Sequence, residues 1–314
     1  SFYTFRLETS GGSLISNSTT TTRYGDYALN HLVELSHRAN LSLTADTSGQ
    51  VYVPTTDTLF TVHNNQNIIT EINRAGGVVR TITCSSCGDI EDITLVSSVA
   101  SSTVGGYDHT FMISTEDVDI NNLQIFRVLI HSTGAVTVNR NDYFSTGLVA
   151  STTNDGLEGI AYNSNTDTYF VSVEGQATQT TRPRIHEVTL GSGHSTTQVP
   201  VCANLNFRDY LTEDNTVPYG NTAYADISGL DYVPSVNRLY VISHKADKII
   251  EVDVSNRNSC TVLNQLPIAM RADSGANHDF EMPEGVSWDA TGDYMYVSAE
   301  ADYWSIWRTN TYSV

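Results

Sequence analysis

Three glutamates carry the chemistry most visible in this chain. Glu91, Glu158 and Glu284 each stand in one short recurring motif, in DIEDITL (Asp89 to Leu95), LEGIAY (Leu157 to Tyr162) and PEGVSW (Pro283 to Trp288). Ser228 holds the same place in ISGLDY (Ile227 to Tyr232), and NLSLTAD (Asn40 to Asp46) reads as a degenerate first copy with Leu41 or Ser42 there. A second set ends the apolar run that follows each copy: Asn64, Thr115 with Glu116, Glu174, His244 and Glu300. Carboxylates held a few ångströms apart raise one another's pKa unless protons or a cation compensate. Calcium takes six to eight oxygens in loose geometry, which suits such a set, whereas zinc asks for His or Cys, and only His244 sits at an equivalent position. Glu91, Glu158 and Glu284 are therefore the expected ligands of a Ca2+ ion, with Ser228, Glu116, Glu174, His244 and Glu300 lining a ligand site around it. One acid at a strand start is ordinary; its return in three copies is what points to a cation.

A histidine beside carboxylates can act as a general base. His244 is one such candidate, and His278 in NHDFEMPEG (Asn277 to Gly285) is the other. No nucleophile elbow, Walker loop, HExxH or dinucleotide fingerprint is present. Arg182 and Arg184 are expected to pair with surface acids, and Trp288, Trp304 and Trp307 fall in strand patterns and are expected to pack between sheets.

The elements that must position these groups follow from the repeat, whose period of roughly 50 to 70 residues is that of a propeller blade. Each motif is followed by a second strand-like run, as in TYFVSVE and LYVISH, then by a third with period-two alternation, as in PRIHEVTL and DKIIEVDV. The first four copies add a fourth run: GGVVRTITC, GAVTVN, STTQVPVC and CTVLNQLPI. The expectation is an all-β, five-bladed β-propeller of four-stranded antiparallel blades, with six blades as the alternative. The fifth copy lacks its outer strand, and an uncovered edge invites aggregation. YALNHLVEL (Tyr27 to Leu35) is assigned to that edge, closing the ring. Residues 1–26 are then an N-terminal extension and 27–314 a single propeller domain. In a blade, the start of the innermost strand and the end of the second share one mouth of the central channel, where both acidic sets converge.

Composition agrees with this reading. Sixteen Lys and Arg against 35 Asp and Glu give a net charge of −19, which disfavours nucleic acid and anionic membrane surfaces as partners. No apolar run approaches the roughly 20 residues of a membrane span. The chain begins at Ser1, as a processed secreted chain would, and carries sequons at Asn17 and Asn40. Its four cysteines allow three pairings; closure of Cys84 on Cys87 leaves Cys202 for Cys260 and suits an oxidising compartment. The last pairing is awkward, because the two residues fall at opposite ends of their outer strands, whereas a disulfide needs Cα atoms within about 7 Å.

The blocks IITEINRAGGVVRTI, DIEDITL, GLEGIAY, ADISGLDYVPSVNRLYVISHKADKIIEVD and PEGVSWDATGDYMYVSAEADYWSIWR together resemble the bacterial SdiA-regulated family of β-propeller proteins, over roughly residues 28 to 308. The resemblance implies a secreted or periplasmic propeller and adds weight to Glu91, Glu158 and Glu284, which match that family's recurring acidic position. It implies no particular reaction. The functional expectation is an extracellular calcium-binding recognition module that takes a small molecule, glycan or protein at its top face. The alternative is a calcium-dependent hydrolase of phosphoanhydrides, phosphoesters or lactones.

Overall fold

The structure, a computed structural model, describes residues 27, 29, 32–39, 47–64, 67–102, 105–116, 123–138, 142–149, 156–173, 183–211, 226–244, 246–268, 283–299 and 303–309. The first strand, β1 (Leu32–Ala39), belongs to the last sheet. The first sheet is β2 (Thr47–Val53), β3 (Thr58–His63), β4 (Ile68–Asn73) and β5 (Val78–Thr83). The second holds β6 (Ile90–Ala100), β7 (Tyr107–Thr115), β8 (Gln124–Ile130), β9 (Val136–Thr137) and β10 (Tyr143–Ser145). The third is β11 (Leu157–Asn163), β12 (Thr168–Val173), β13 (Arg184–Leu190) and β14 (Thr196–Val201). The fourth is β15 (Gly229–Val233), β16 (Arg238–Ser243), β17 (Lys248–Asp253) and β18 (Thr261–Pro267). The fifth runs β19 (Pro283–Trp288), β20 (Tyr294–Ala299), β21 (Tyr303–Thr309) and then β1.

The arrangement is an all-β propeller. Four sheets, not five, have the four-stranded form expected from the repeats, and no sixth sheet occurs among the described residues. The second sheet departs because its outer edge is broken: GAVTVN supplies only the two-residue β9 against Leu129 and Ile130, and β10 takes the rest of the edge of β8. The ring closes at β1, antiparallel to β21, as expected, but the strand starts at Leu32 instead of Tyr27. Tyr27 and Leu29 are instead buried in the apolar core between the fourth and fifth sheets. There Leu29 N donates to Glu251 Oε2 (3.2 Å) and the Tyr240 hydroxyl donates to Tyr27 O.

The innermost strands β2, β6, β11, β15 and β19 lie side by side in that order, and β19 returns to β2. This crowding explains the glycine that follows the Glu or Ser position in four of the five inner strands. A Cβ on Gly49 would lie 1.9 Å from Asp92 Oδ1, and one on Gly229 would lie 2.1 Å from Glu284 O. In the second sheet the equivalent residue is Asp92, whose carboxylate fills the axis. Its Oδ1 accepts Ile93 N (2.8 Å), and its Oδ2 accepts Ile160 N (2.8 Å) and Leu230 N (3.3 Å), tying β6, β11 and β15 together.

Apolar clusters fill the spaces between successive sheets, the largest around Phe60 and Phe111, Tyr169, Phe170, and Trp288. Trp288 packs as expected; nothing is described of the side chains of Trp304 and Trp307. The junction of the first and fifth sheets has only a small cluster of Leu59, Ile72 and Tyr296. It is reinforced by Arg74, which lies 4.4 Å over the Tyr294 ring and pairs with Asp289 at 3.4 Å. Two disulfides are present, Cys84–Cys87 and Cys202–Cys260. The second is reached because Cys202 turns at positive φ (58°) and donates its N–H to Arg257 O, bringing the two Cα atoms to 4.9 Å.

Candidate metal centre at the channel mouth

Four of the five inner strands begin with an irregularity; β15 pairs with β16 in unbroken register. The pairing register slips by one residue at Ser48 and Gly49, at Glu91, at Glu158 and Gly159, and at Glu284. Such bulges re-aim a side chain next to a functional site. A serine near the end of the second strand stitches the slip in place. Ser114 Oγ accepts Asp92 N and donates to Glu158 O (both 3.0 Å), Ser172 Oγ accepts Gly159 N (2.7 Å), and Ser298 Oγ donates to Ser48 O (2.9 Å).

The register corrects one sequence expectation. The first-sheet counterpart of Ser228 is Ser48, not Leu41 or Ser42, which lie outside the described residues. Ser48 points its hydroxyl at Glu91, donating to Oε2 at 3.3 Å.

Glu91 is the centre of the acidic group. It is 4% exposed, and its Oε1 is buried with no hydrogen-bond partner. Oxygens of Asp89, Glu91 and Glu116 all lie within 4.8 Å of one another. Burial, then the charges of Glu116, Asp89 and Glu284, push the Glu91 carboxyl well above the usual carboxylate range, and the Ser48 hydrogen bond offsets only part of this. The arrangement contains oxygen donors only, one of them an orphan, and so fits a hard cation.

Across the mouth, His244 Nδ1 lies 3.0 Å from Asp226 Oδ2 and 3.1 Å from Glu284 Oε1. Asp226 is fully buried and accepts the Ser243 hydroxyl. The ring is thus held between two carboxylates at the end of β16.

Of the expected metal ligands, Glu91 joins the three-carboxylate group. Glu284 faces His244, and Glu158 holds the same strand position on β11 without entering the group. Of the ligand-site residues, Glu116 enters the group and His244 contacts Asp226 and Glu284 instead, while Ser228 is buried and donates to Pro283 O at 2.9 Å. Glu174, Glu300 and His278 lie outside the described residues, as does Arg182; Arg184 is exposed at the start of β13. The sequence reading missed Asp89 and Asp226. Their signal was available, since Asp89-Ile-Glu91-Asp92 and Asp226-Ile-Ser228-Gly229 share one spacing, and Asp46-Thr47-Ser48-Gly49 repeats it.

Several solved structures are similar to the chain at low identity. A luciferin-regenerating enzyme matches at 10% identity, covering 87% of this chain and 94% of the other, with a TM-score of 0.48. Myxococcus xanthus glutaminyl cyclase matches at 11%, covering 88% and 95%, with a TM-score of 0.47. A Xanthomonas campestris gluconolactonase matches at 10%, covering 88% of each chain, with a TM-score of 0.45. The model of the SdiA-regulated family matches residues 26–305, so the chain belongs to the SdiA-regulated family.

Proposed function

We propose that the chain is a secreted recognition module, a ring of five blades whose channel mouth holds a calcium ion at Asp89, Glu91 and Glu116. The observation that carries this is the buried, unpartnered Oε1 of Glu91 beside two further carboxylates. Ionising Glu91 with that oxygen bare costs the desolvation of a charged acceptor, which a bound cation offsets. Serine hydroxyls, carbonyls and water would complete the shell, and the open side of the ion would take an oxygen-rich ligand such as a glycan. The two disulfides support an oxidising compartment, and no helix among the described residues is long and apolar enough to cross a membrane. Calorimetric titration of calcium into chelator-treated protein is expected to give one saturable site, with a rise in melting temperature, and Glu91→Gln is expected to abolish both. Absence of heat and of any melting shift in the wild-type protein would refute the reading.

His244 supports a second reading, calcium-dependent hydrolysis of a phosphoanhydride, phosphoester or lactone. The ion would polarise the substrate oxygen, and His244, oriented by Asp226 and Glu284, would take a proton from water. A panel of nucleotides, aryl esters and lactones, with and without chelator, tests this. Turnover that requires calcium and falls about 100-fold or more in His244→Gln, with calcium affinity retained, is the expected signature. Turnover unchanged in that variant excludes His244 as the base.

A further inference from the structure

The opposite ends of β15 and β19 frame a second feature, on the face away from the mouth. Ser228 and Glu284 mark the mouth end of these strands; Val233 and Trp288 mark the other, roughly 13 to 17 Å away at the rise of a strand. Between these far ends lies a cavity of about 420 Å³, within the usual size of a small-molecule site. Its aromatic wall is made by Tyr27 and Trp288, meeting edge to face at 5.5 Å, while Tyr232 borders it with a ring that packs on Phe170 and under Arg257 on the other side of the sheet.

Tyr27 is fixed by more than packing. Its hydroxyl donates to Ala290 O (2.9 Å), and its carbonyl accepts the Tyr240 hydroxyl. The segment before β1 therefore forms one wall of a cavity whose other walls come from the loops of the third, fourth and fifth sheets.

The lining is also one-sided in charge. Asp231 and Asp289 both reach the cavity, and no Lys, Arg or His lines it. Asp289 is largely satisfied, by Arg74, Thr291 and the N–H groups of Asp293 and Tyr294. Asp231 accepts only backbone N–H groups, from Trp288 to Oδ2 (2.7 Å) and from Tyr232, and no cationic side chain pairs with it among the described residues. Burial pushes its carboxyl up to about 7. The same negative field is felt by Tyr27, raised first by burial and then by Asp289 and Asp231.

From the aromatic wall and the carboxylate without a cationic partner we infer a second binding site, for a small organic ammonium ion seated against Tyr27 and Trp288 with its charge toward Asp231. Aromatic faces attract such cations through their quadrupole. An anionic ligand is disfavoured by both aspartates. The site is independent of the mouth, because it shares no residue with Asp89, Glu91 or Glu116.

Choline chloride is the probe, with 3,3-dimethyl-1-butanol as its neutral isostere, titrated into the full chain and followed by calorimetry and ligand-observed NMR. Choline is expected to bind about tenfold or more tightly than the isostere. Asp231→Asn and Tyr27→Leu, each checked for a cooperative melt, are expected to weaken choline binding about tenfold, while Glu91→Gln leaves it unchanged. Equal binding of the isostere overturns the proposal, as does no choline binding up to about 50 mM, or full retention in both cavity variants. Loss in Glu91→Gln with retention in Asp231→Asn places choline at the mouth and overturns it as well. Because Tyr27→Leu leaves the carboxylate untouched, it keeps the proposal testable if Asp231→Asn fails to fold.

Discussion

Glu91 and Asp92 are adjacent and both are pushed well above the usual carboxylate range, chiefly by burial, yet they do different work. Asp92 serves as an internal acceptor for three backbone N–H groups, so Asp92→Ala strands Ile160 N and Leu230 N and should cost about 2–4 kcal/mol in chemical denaturation, while Asp92→Asn keeps one acceptor and costs less. Glu91 has a single hydroxyl donor and an orphan oxygen. Its folded pKa is raised above the unfolded value, so its stabilising contribution is complete below that unfolded value and is lost as pH rises through the folded one. Metal-free protein is therefore expected to lose melting temperature as pH climbs from about 4.5, and Glu91→Gln is expected to flatten that fall. Saturating calcium should flatten it too in the wild-type protein, because the ion rewards the ionised form. A wild-type melting profile that rises over this range without metal contradicts the assignment.

The recurring element is the start of the inner strand, bulged in four of the five sheets. Its acidic residue and the small residue after it were readable in the sequence, because Glu91, Glu158, Ser228 and Glu284 repeat with Asp92, Gly159, Gly229 and Gly285 behind them. The first copy was misplaced onto residues 40–46 because NLSLTAD alternates like a strand, whereas the steric rule that selects Ser48-Gly49 acts between sheets and leaves no trace in periodicity. The same holds for YALNHLVEL. Its apolar pattern reads as one strand, but among the described residues pairing with β21 begins at Leu32, and Tyr27 and Leu29 bury themselves between sheets. The carboxylates missed, Asp89 and Asp226, sit before their strands, where no alternation calls attention to them. Steric closeness makes a further test. Gly229→Ala places a methyl against the Glu284 backbone and is expected to destabilise by about 2–3 kcal/mol. It should also weaken calcium binding, since that backbone carries the carboxylate whose charge reaches Glu91.

At the scale of the molecule, the two disulfides act in different places. Cys202–Cys260 spans 58 residues and links the end of β14 to the turn before β18, so its double serine variant should lose about 3 kcal/mol while leaving the mouth intact. Cys84–Cys87 closes a short loop two residues before Asp89, so its double serine variant should lose less stability but more calcium affinity. Denaturant melts paired with calcium titrations separate the two, and equal effects from both would contradict this division. The last sheet draws β1 from one end of the sequence and β19, β20 and β21 from the other. A nascent chain emerging from the ribosome therefore carries β1 without its hydrogen-bonding partner until β21, about 260 residues later, has been made. The sheets between can form in order as they appear, but the one that holds β1 waits for β21, and during that interval the unpaired strand stays open to chaperones.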